Sequence, residues 1–160
     1  MSAGVGATPK PDRDLAKLAP RFRAAVEAAL TECNAVGLDA YLYEGLRSEE
    51  TQRAYYARGR TVTPPERPVT NATSALYSWH GYGLAVDVIS RSKLWGETPE
   101  WFAHVASIFK RHGCKWGGNW KRRDLPHMQW GRCKPSPSDR ARELWLEGGN
   151  RRVWEEVGAA

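Results

Sequence analysis

The stretch Ser78-Trp79-His80-Gly81-Tyr82-Gly83-Leu84-Ala85-Val86-Asp87-Val88-Ile89-Ser90 changes character halfway along. Its first half sets an imidazole in a turn, with glycines at 81 and 83 that let the backbone bend tightly. Its second half, from Gly83 to Ser90, is apolar, β-branched and short, which reads as a strand. A turn running into a strand brings residues several positions apart back to a common point. His80 and Asp87 are therefore expected to meet.

Outward from this stretch, helices and strands mix without regular alternation. Phe22, Val26, Ala29, Leu30 and Cys33 recur at helical spacing behind Pro20, and Gly37 marks the exit. Asp39 to Leu46 alternates weakly and carries aromatics, as a half-buried strand does. Ser48 is placed to cap a helix running to about Arg58, closed by Gly59. Residues 60–75 read as a long loop. Thr98-Pro99 opens a further helix with Phe102, Val105, Ala106 and Phe109 on one face and Gly113 as its stop. Trp116 to Trp120 reads as a turn, Pro126 to Trp130 as a short strand, and residues 136–160 as a helical extension broken at Gly148-Gly149. The pattern implies an α+β fold, a small antiparallel sheet flanked by helices. Residues 1–14 are expected to be a flexible lead-in and residues 15–160 one domain.

The chain has 160 residues, 41% of them hydrophobic, enough for one core. With 26% charged residues, 15 Gly and 10 Pro, neither disorder nor a collagen-like repeat fits. No apolar run is long enough to span a bilayer. The first ten residues show no basic-then-apolar pattern, so no signal peptide is expected. Three cysteines (Cys33, Cys114, Cys133) without CxxC spacing argue for buried thiols rather than a disulfide framework or a cysteine metal site. The net charge of +6 favours an anionic partner without choosing one.

A second constellation follows some forty residues later, where Asp124 stands three residues before His127 and Pro126 stiffens the approach. Two imidazoles and a carboxylate make a zinc set with one position left open, and a further carboxylate beside it serves as a general base. On chemistry, His80, Asp87 and His127 are the candidate ligands of one Zn2+ per chain and Asp124 the candidate base. Spacing alone leaves the plainer readings standing: a hydrogen-bonded histidine, a strand acid, a turn former.

The pattern Ser-x-His-x-x-Gly-x-Ala-x-Asp from Ser78 to Asp87 resembles the signature of the M15 (VanY and D-Ala-D-Ala carboxypeptidase-like) zinc peptidases. Trp116-Gly117-Gly118-Asn119-Trp120 followed by Asp124-Leu125-Pro126-His127 resembles the family's second signature, and Glu44-Gly45-Leu46-Arg47-Ser48 with Gln52 a further one. Within the family the chain resembles the L-alanyl-D-glutamate endopeptidase branch, which includes phage endolysins. The resemblance covers roughly residues 15–130. It implies a hedgehog/DD-peptidase-like fold, the same ligand set and base, and Arg47 as a residue that holds substrate and steadies oxyanion charge. A strand-end arginine in a salt bridge is the plainer reading of Arg47. Ser78, Gln52 and Trp120 are candidate substrate contacts, Ser78 equally a turn cap. Asn119 stands where the family often has an acid, and Met128 where an aromatic commonly follows the histidine. Asp at the base position favours the endopeptidase over the dipeptidase branch.

His104 and His112 read as structural, the latter facing a helix C-terminus. Lys121-Arg122-Arg123 and Arg151-Arg152 read as solvated charge, and no nucleic-acid partner is expected. The implied function is hydrolysis of the L-Ala–D-Glu bond of the peptidoglycan stem peptide by a monomer. Synthesis is expected in a host cytoplasm, with release to the periplasm or wall through a holin, and envelope contact through a basic C-terminal tail. The rivals are a D-alanyl-D-alanine carboxypeptidase on the same polymer and a non-catalytic zinc-binding wall module.

Overall fold

Caps set the helix boundaries. In the computed structural model, which describes residues 9–62 and 66–160, α1 (Pro20–Ala35) starts on its proline. α2 (Glu49–Ala57) is capped by Ser48, whose hydroxyl accepts from the Thr51 amide, and α3 (Pro99–Arg111) in the same way by Thr98. α4 (Asp139–Glu156) is capped by Ser138 and interrupted at Gly148 and Gly149, both non-helical, the latter at φ 67°. Four short strands, β1 (Ala40–Glu44), β2 (Ala85–Ser90), β3 (Cys114–Trp116) and β4 (His127–Trp130), form one sheet in the order β1-β2-β4-β3. Every neighbouring pair is antiparallel, so the fold is α+β with a small antiparallel sheet flanked by helices.

Sheet parity divides the molecule into a core face and a site face. Leu42, Val86, Val88 and Met128 join the hydrophobic core with Phe22, Val26 and Ala29 of α1 and Val105, Ala106 and Phe109 of α3. Each of the larger side chains among them contributes about 1.5–3 kcal/mol when fully buried. Phe22 meets Trp130 edge-on at 6.4 Å. The opposite parity puts Asp87, His127 and Gln129 on the other face. Trp116, expected to open a turn, instead ends the edge strand β3, paired with β4. His112 does cap α3, and its Nε2 also sits 3.0 Å from Glu32 Oε1 of α1, a cross-helix tie that spacing does not reveal.

The C-terminal segment is fastened to the rest. Ala141, Leu144, Val153 and Ala159 are buried in the common core. Trp154 Nε1 donates to Tyr82 O at 2.6 Å, Trp130 Nε1 to Val157 O at 2.7 Å, and the Arg21 amide to Ala159 O at 3.0 Å. The expected basic tail is not basic: residues 136–160 hold four arginines against five acids. Three of those arginines pair locally, Arg140 with Glu143 and Glu156, Arg142 with Asp139, and Arg152 with Glu147 and Glu156. Of the expected flexible lead-in, residues 1–8 lie outside the described residues. Asp12 and Arg13 are tied to β1 and its exit, by Gly45 N to Asp12 O and Arg13 Nε to Tyr43 O, both at 2.8 Å.

All three cysteines are free and buried. Burial pushes the Cys33 thiol up to about 11 and the Cys114 and Cys133 thiols to about 12. At pH 8 the native protein is therefore expected to give no rapid reaction with Ellman's reagent and three equivalents after unfolding. A fast stoichiometric reaction of native protein contradicts the packing.

Candidate metal centre and active-site cleft

Register builds the site. Asp87 of β2 lies opposite Glu44 of β1 on one side and opposite His127 of β4 on the other. A β-bulge between Leu42 and Glu44 makes the first pairing, because it turns Glu44 off the core face that Ala40 and Leu42 occupy. His80 enters from the short 3-10 turn Trp79–Tyr82, which ends at Gly83 in the left-handed region (φ 70°). Gly81 permits a close approach, since a Cβ there would fall 2.1 Å from Ala75 O. Two bonds lock this turn to the exit of β1: Arg47 N donates to His80 O at 2.9 Å, and His80 Nδ1 lies 3.0 Å from Gly45 O.

Those contacts fix which nitrogens face inward. A backbone carbonyl only accepts, so His80 carries its proton on Nδ1 and turns the Nε2 lone pair inward, 3.4 Å from Asp87 Oδ1. His127 is held the opposite way round. Its Nε2 lies 2.7 Å from Gln129 Oε1, and Gln129 Nε2 donates onward to Lys134 O at 2.8 Å, which fixes the amide with its oxygen toward the ring. The His127 Nδ1 lone pair then points at Asp87 Oδ1, 3.9 Å away. His80, Asp87 and His127 offer three ligand atoms within 4.8 Å of one another, a borderline-soft N2O set that fits a zinc ion. Burial, with repulsion from His80, draws the His127 ring down to about 4, leaving it neutral and able to ligate near pH 7. Burial alone would raise the Asp87 carboxyl, but His80, Arg47 and His127 outweigh it and hold Asp87 well below the usual carboxylate range.

Arg47 is 9% exposed and held by its neighbours. Its Nε and Nη2 reach Glu44 Oε1 at 3.0 and 2.9 Å, Nη1 donates to Gln52 Oε1 at 2.9 Å, and Nη2 lies 3.6 Å from Asp87 Oδ2. Tyr55 donates its hydroxyl to the other Glu44 oxygen at 2.9 Å and presents its ring to the guanidinium at 4.7 Å. The salt-bridged reading of Arg47 and its place in the cleft wall thus hold together. Gln52 is placed differently from the expected substrate contact. It is fully buried behind Arg47, and its amide donates to Ala72 O at 2.8 Å, so it positions the arginine and the 70–72 loop.

A cleft of about 1020 Å3 opens over these groups and is lined by Arg47, Ser78, His80, Asp87, Trp120, Asp124 and His127 among others. Asp124 Oδ2 sits 3.8 Å from His127 Nδ1. Desolvation by the cleft wall, then the neighbouring Asp87 charge, raises the Asp124 carboxyl to about 6 against the pull of His80, Arg47 and Arg122. Its side chain keeps about half its surface open, so this is the desolvation of a concave wall rather than of a closed core. The Trp120 ring lies 4.7 Å from the His127 ring. Ser78 accepts from the His80 amide at 3.3 Å, the turn-capping reading, while also lining the cleft. Glu44, Tyr55 and Gln129 carry the site without having been singled out as contributors. The one available signal was the parity of Gln129 with His127 on a short strand.

Comparison with known proteins agrees with this geometry. Residues 71–130 match the M15 family model described as D-alanyl-D-alanine carboxypeptidase. The peptidoglycan L-alanyl-D-glutamate endopeptidase CwlK of Bacillus subtilis is 35% identical over 106 residues, 58% of this chain and 61% of that protein. The L-alanyl-D-glutamate peptidase of Listeria phage A118 is 28% identical over 121 residues, 71% of this chain and 38% of that protein. The chain thus spans less than two thirds of the length of either relative. Among solved structures, the Serratia marcescens L-Ala D-Glu endopeptidase ChiX superposes with a TM-score of 0.55 at 25% identity, covering 77% of this chain and 87% of that one. The LD-carboxypeptidase LdcB shares the fold, with a TM-score of 0.56 at 14% identity over 94% of this chain and 74% of that one. Fold and site together are similar to those of D-alanyl-D-alanine carboxypeptidase-like peptidases. Over residues 71–130 the chain is similar to the M15 family.

Gln129→Ala is expected to weaken divalent-metal binding at least tenfold in a chelator-competition titration, because the His127 ring loses the acceptor that fixes its tautomer. Gln129→Glu, which keeps an acceptor, is expected to recover most of that affinity. Unchanged affinity in the alanine variant removes the positioning role.

Proposed function

We propose that this protein is a zinc-dependent peptidoglycan endopeptidase of the phage endolysin type, cutting the L-Ala–D-Glu bond of the stem peptide. The observation that carries the reading is the convergence of two inward imidazole lone pairs and one carboxylate at the floor of a cleft whose wall holds a further carboxylate, Asp124. Relatives named as L-alanyl-D-glutamate peptidases support the bond, and the phage relative supports the biological setting. Synthesis in a host cytoplasm and release to the wall through a holin belong to the same reading. Contact with anionic envelope polymers rests on the overall +6 charge rather than on α4.

His80 Nε2, Asp87 Oδ1 and His127 Nδ1 would hold the metal. A zinc ion so held supplies Lewis acidity and brings the pKa of water near 7. Asp124 takes the proton of the attacking water and returns it to the leaving amine, a task suited to a carboxylate raised toward neutrality. Arg47 presents its Nη2 side to the cleft and steadies charge developing on the scissile carbonyl oxygen, with Glu44 and Gln52 fixing the orientation of its planar guanidinium. Trp120 and Ser78 line the path of the peptide.

Mass spectrometry of digested sacculi separates the alternatives. New amino-terminal D-Glu is expected, whereas release of terminal D-Ala identifies a carboxypeptidase instead. A chelator is expected to abolish the products and added zinc to restore them. Asp124→Asn is expected to lower the rate by about 10²–10⁴-fold with metal still bound. Equal clearing by wild type and variant would remove Asp124 as the base, and no product from metal-loaded wild type would leave only the non-catalytic wall module.

A further inference from the structure

We infer that the Lys121-Arg122-Arg123 segment is a carboxylate-recognition lip of the cleft, by which the protein selects substrates with a free carboxylate on the leaving-amine side of the scissile bond. The inference rests on the peptidase reading of the site and names the chemistry that its substrate must present.

The segment follows the 3-10 turn Gly117–Asn119 and runs directly into Asp124. Both of its ends are pinned. Gly117 O accepts from Trp120 N at 3.2 Å and from Asp124 N at 3.0 Å, and Trp116 Nε1 donates to Leu125 O at 2.7 Å. The three cations are therefore displayed on a closed loop, and all three line the cleft. Arg122 reaches across the cleft to Pro68 O at 3.4 Å and is among the charges that draw the Asp124 carboxyl down.

Lys121 and Arg123 differ from most cations of the chain. Exposed arginines elsewhere are matched on their own helix, Arg23 by Glu27 and Arg53 by Glu49. Arg58, also in the cleft wall, is matched by Glu66. Among the described residues Lys121 and Arg123 have no hydrogen bond or ion pair. The cleft wall as a whole carries six Lys and Arg against three Asp and Glu. Of those acids, Glu44 is neutralised by Arg47, and Asp87 is engaged by His80. Positive charge is thus in excess, and the unmatched part stands beside the proton-transferring carboxylate. A concave wall of one sign concentrates ligands of the other.

The chemistry of the substrate supplies the match. Asp124 serves the leaving amine, so the lip next to it faces the residue that contributes that amine. A glutamyl residue in that place has two carboxyl groups and passes the chain on through only one of them. The other stays free, a few bonds from the amine. Converting it to a carboxamide removes the charge while leaving the shape almost unchanged, so preference for acid over amide reads the lip alone.

Two synthetic stem peptides that differ only in carboxylate or carboxamide at that residue test the inference, by isothermal titration and by cleavage. Wild-type protein is expected to bind and cut the carboxylate form about tenfold better at low salt. The ratio is expected to shrink at about 0.5 M salt, where exposed charges are screened. Lys121→Ala/Arg123→Ala is expected to bring the ratio near one, and Lys121→Glu/Arg123→Glu to reverse it. Equal treatment of the two peptides by wild type, or a preference that survives both double variants, overturns the lip. Absence of cleavage of either peptide overturns the endopeptidase reading instead, and the titration still decides the lip through the ratio of the two affinities.

Discussion

The site depends on Asp87 being in register with its neighbours on both sides. Strands of four to six residues tolerate little slippage, because a shift by one residue carries every side chain to the other face. On β2 such a slip would put Val86 or Val88 where the carboxylate stands and bury Asp87 among Phe22, Val105 and Met128. The cost of burying that charge without partners far exceeds what a small sheet gains from any one pairing. The apolar core under β2 and β4 is therefore what aims the acid, and the His127 imidazole with it, into the cleft. Packing and chemistry are decided by the same alternation.

Next to that register sits a buried ionic network. Glu44 is 1% exposed and Arg47 9%, so both charges have been taken out of water. Such a pair is neutral at best for stability when compared with apolar side chains of the same volume, but breaking it leaves a stranded charge and costs about 3–5 kcal/mol. Its value here is geometric. Glu44 engages Nε and Nη2, Gln52 engages Nη1, and the Tyr55 ring lies beside the guanidinium plane, so the arginine has one orientation left, with Nη2 toward Asp87. Tyr55 in turn sits beside Glu44 with its hydroxyl well protonated, pushed far above the usual phenol range by burial and the Glu44 charge.

Much of this was legible from residue order. Helix starts at Pro20, Ser48 and Pro99 follow from caps and first-turn prolines, and the β2 strand from its β-branched run. The convergence of His80 with Asp87 follows from a glycine turn feeding that strand. The bulge at Tyr43 was not legible, since the run Ala40 to Glu44 alternates as a regular strand and would send Glu44 into the apolar core. Nor was the depth of Gln52, because a polar residue on the first turns of a helix reads as exposed until its partner is known to be a buried arginine. β3 escaped because three residues beside a glycine-rich turn carry no period. The charge of the final helix is a different matter: its arginines stand out, and its acids, spaced three or four away, cancel them.

Short strands also leave the loops around the site with little ladder to hold them, and tryptophan supplies what hydrogen-bonded strand would otherwise provide. Trp79 Nε1 donates to Lys134 O, Trp116 to Leu125 O, Trp130 to Val157 O and Trp154 to Tyr82 O, each within 2.7 Å. Every one of these bonds joins segments that are not paired in the sheet, and two of them end beside a site residue: Trp79 precedes His80, and Leu125 follows Asp124. An indole combines a rigid apolar body that packs with one donor that must be satisfied when buried. Placed at a loop, it fixes both position and direction at small conformational cost, since only two side-chain torsions are lost. A loop held in this way keeps its carboxylate or imidazole to within the tolerance that proton transfer and ligation demand, a role that core filling alone does not give these four of the eight tryptophans.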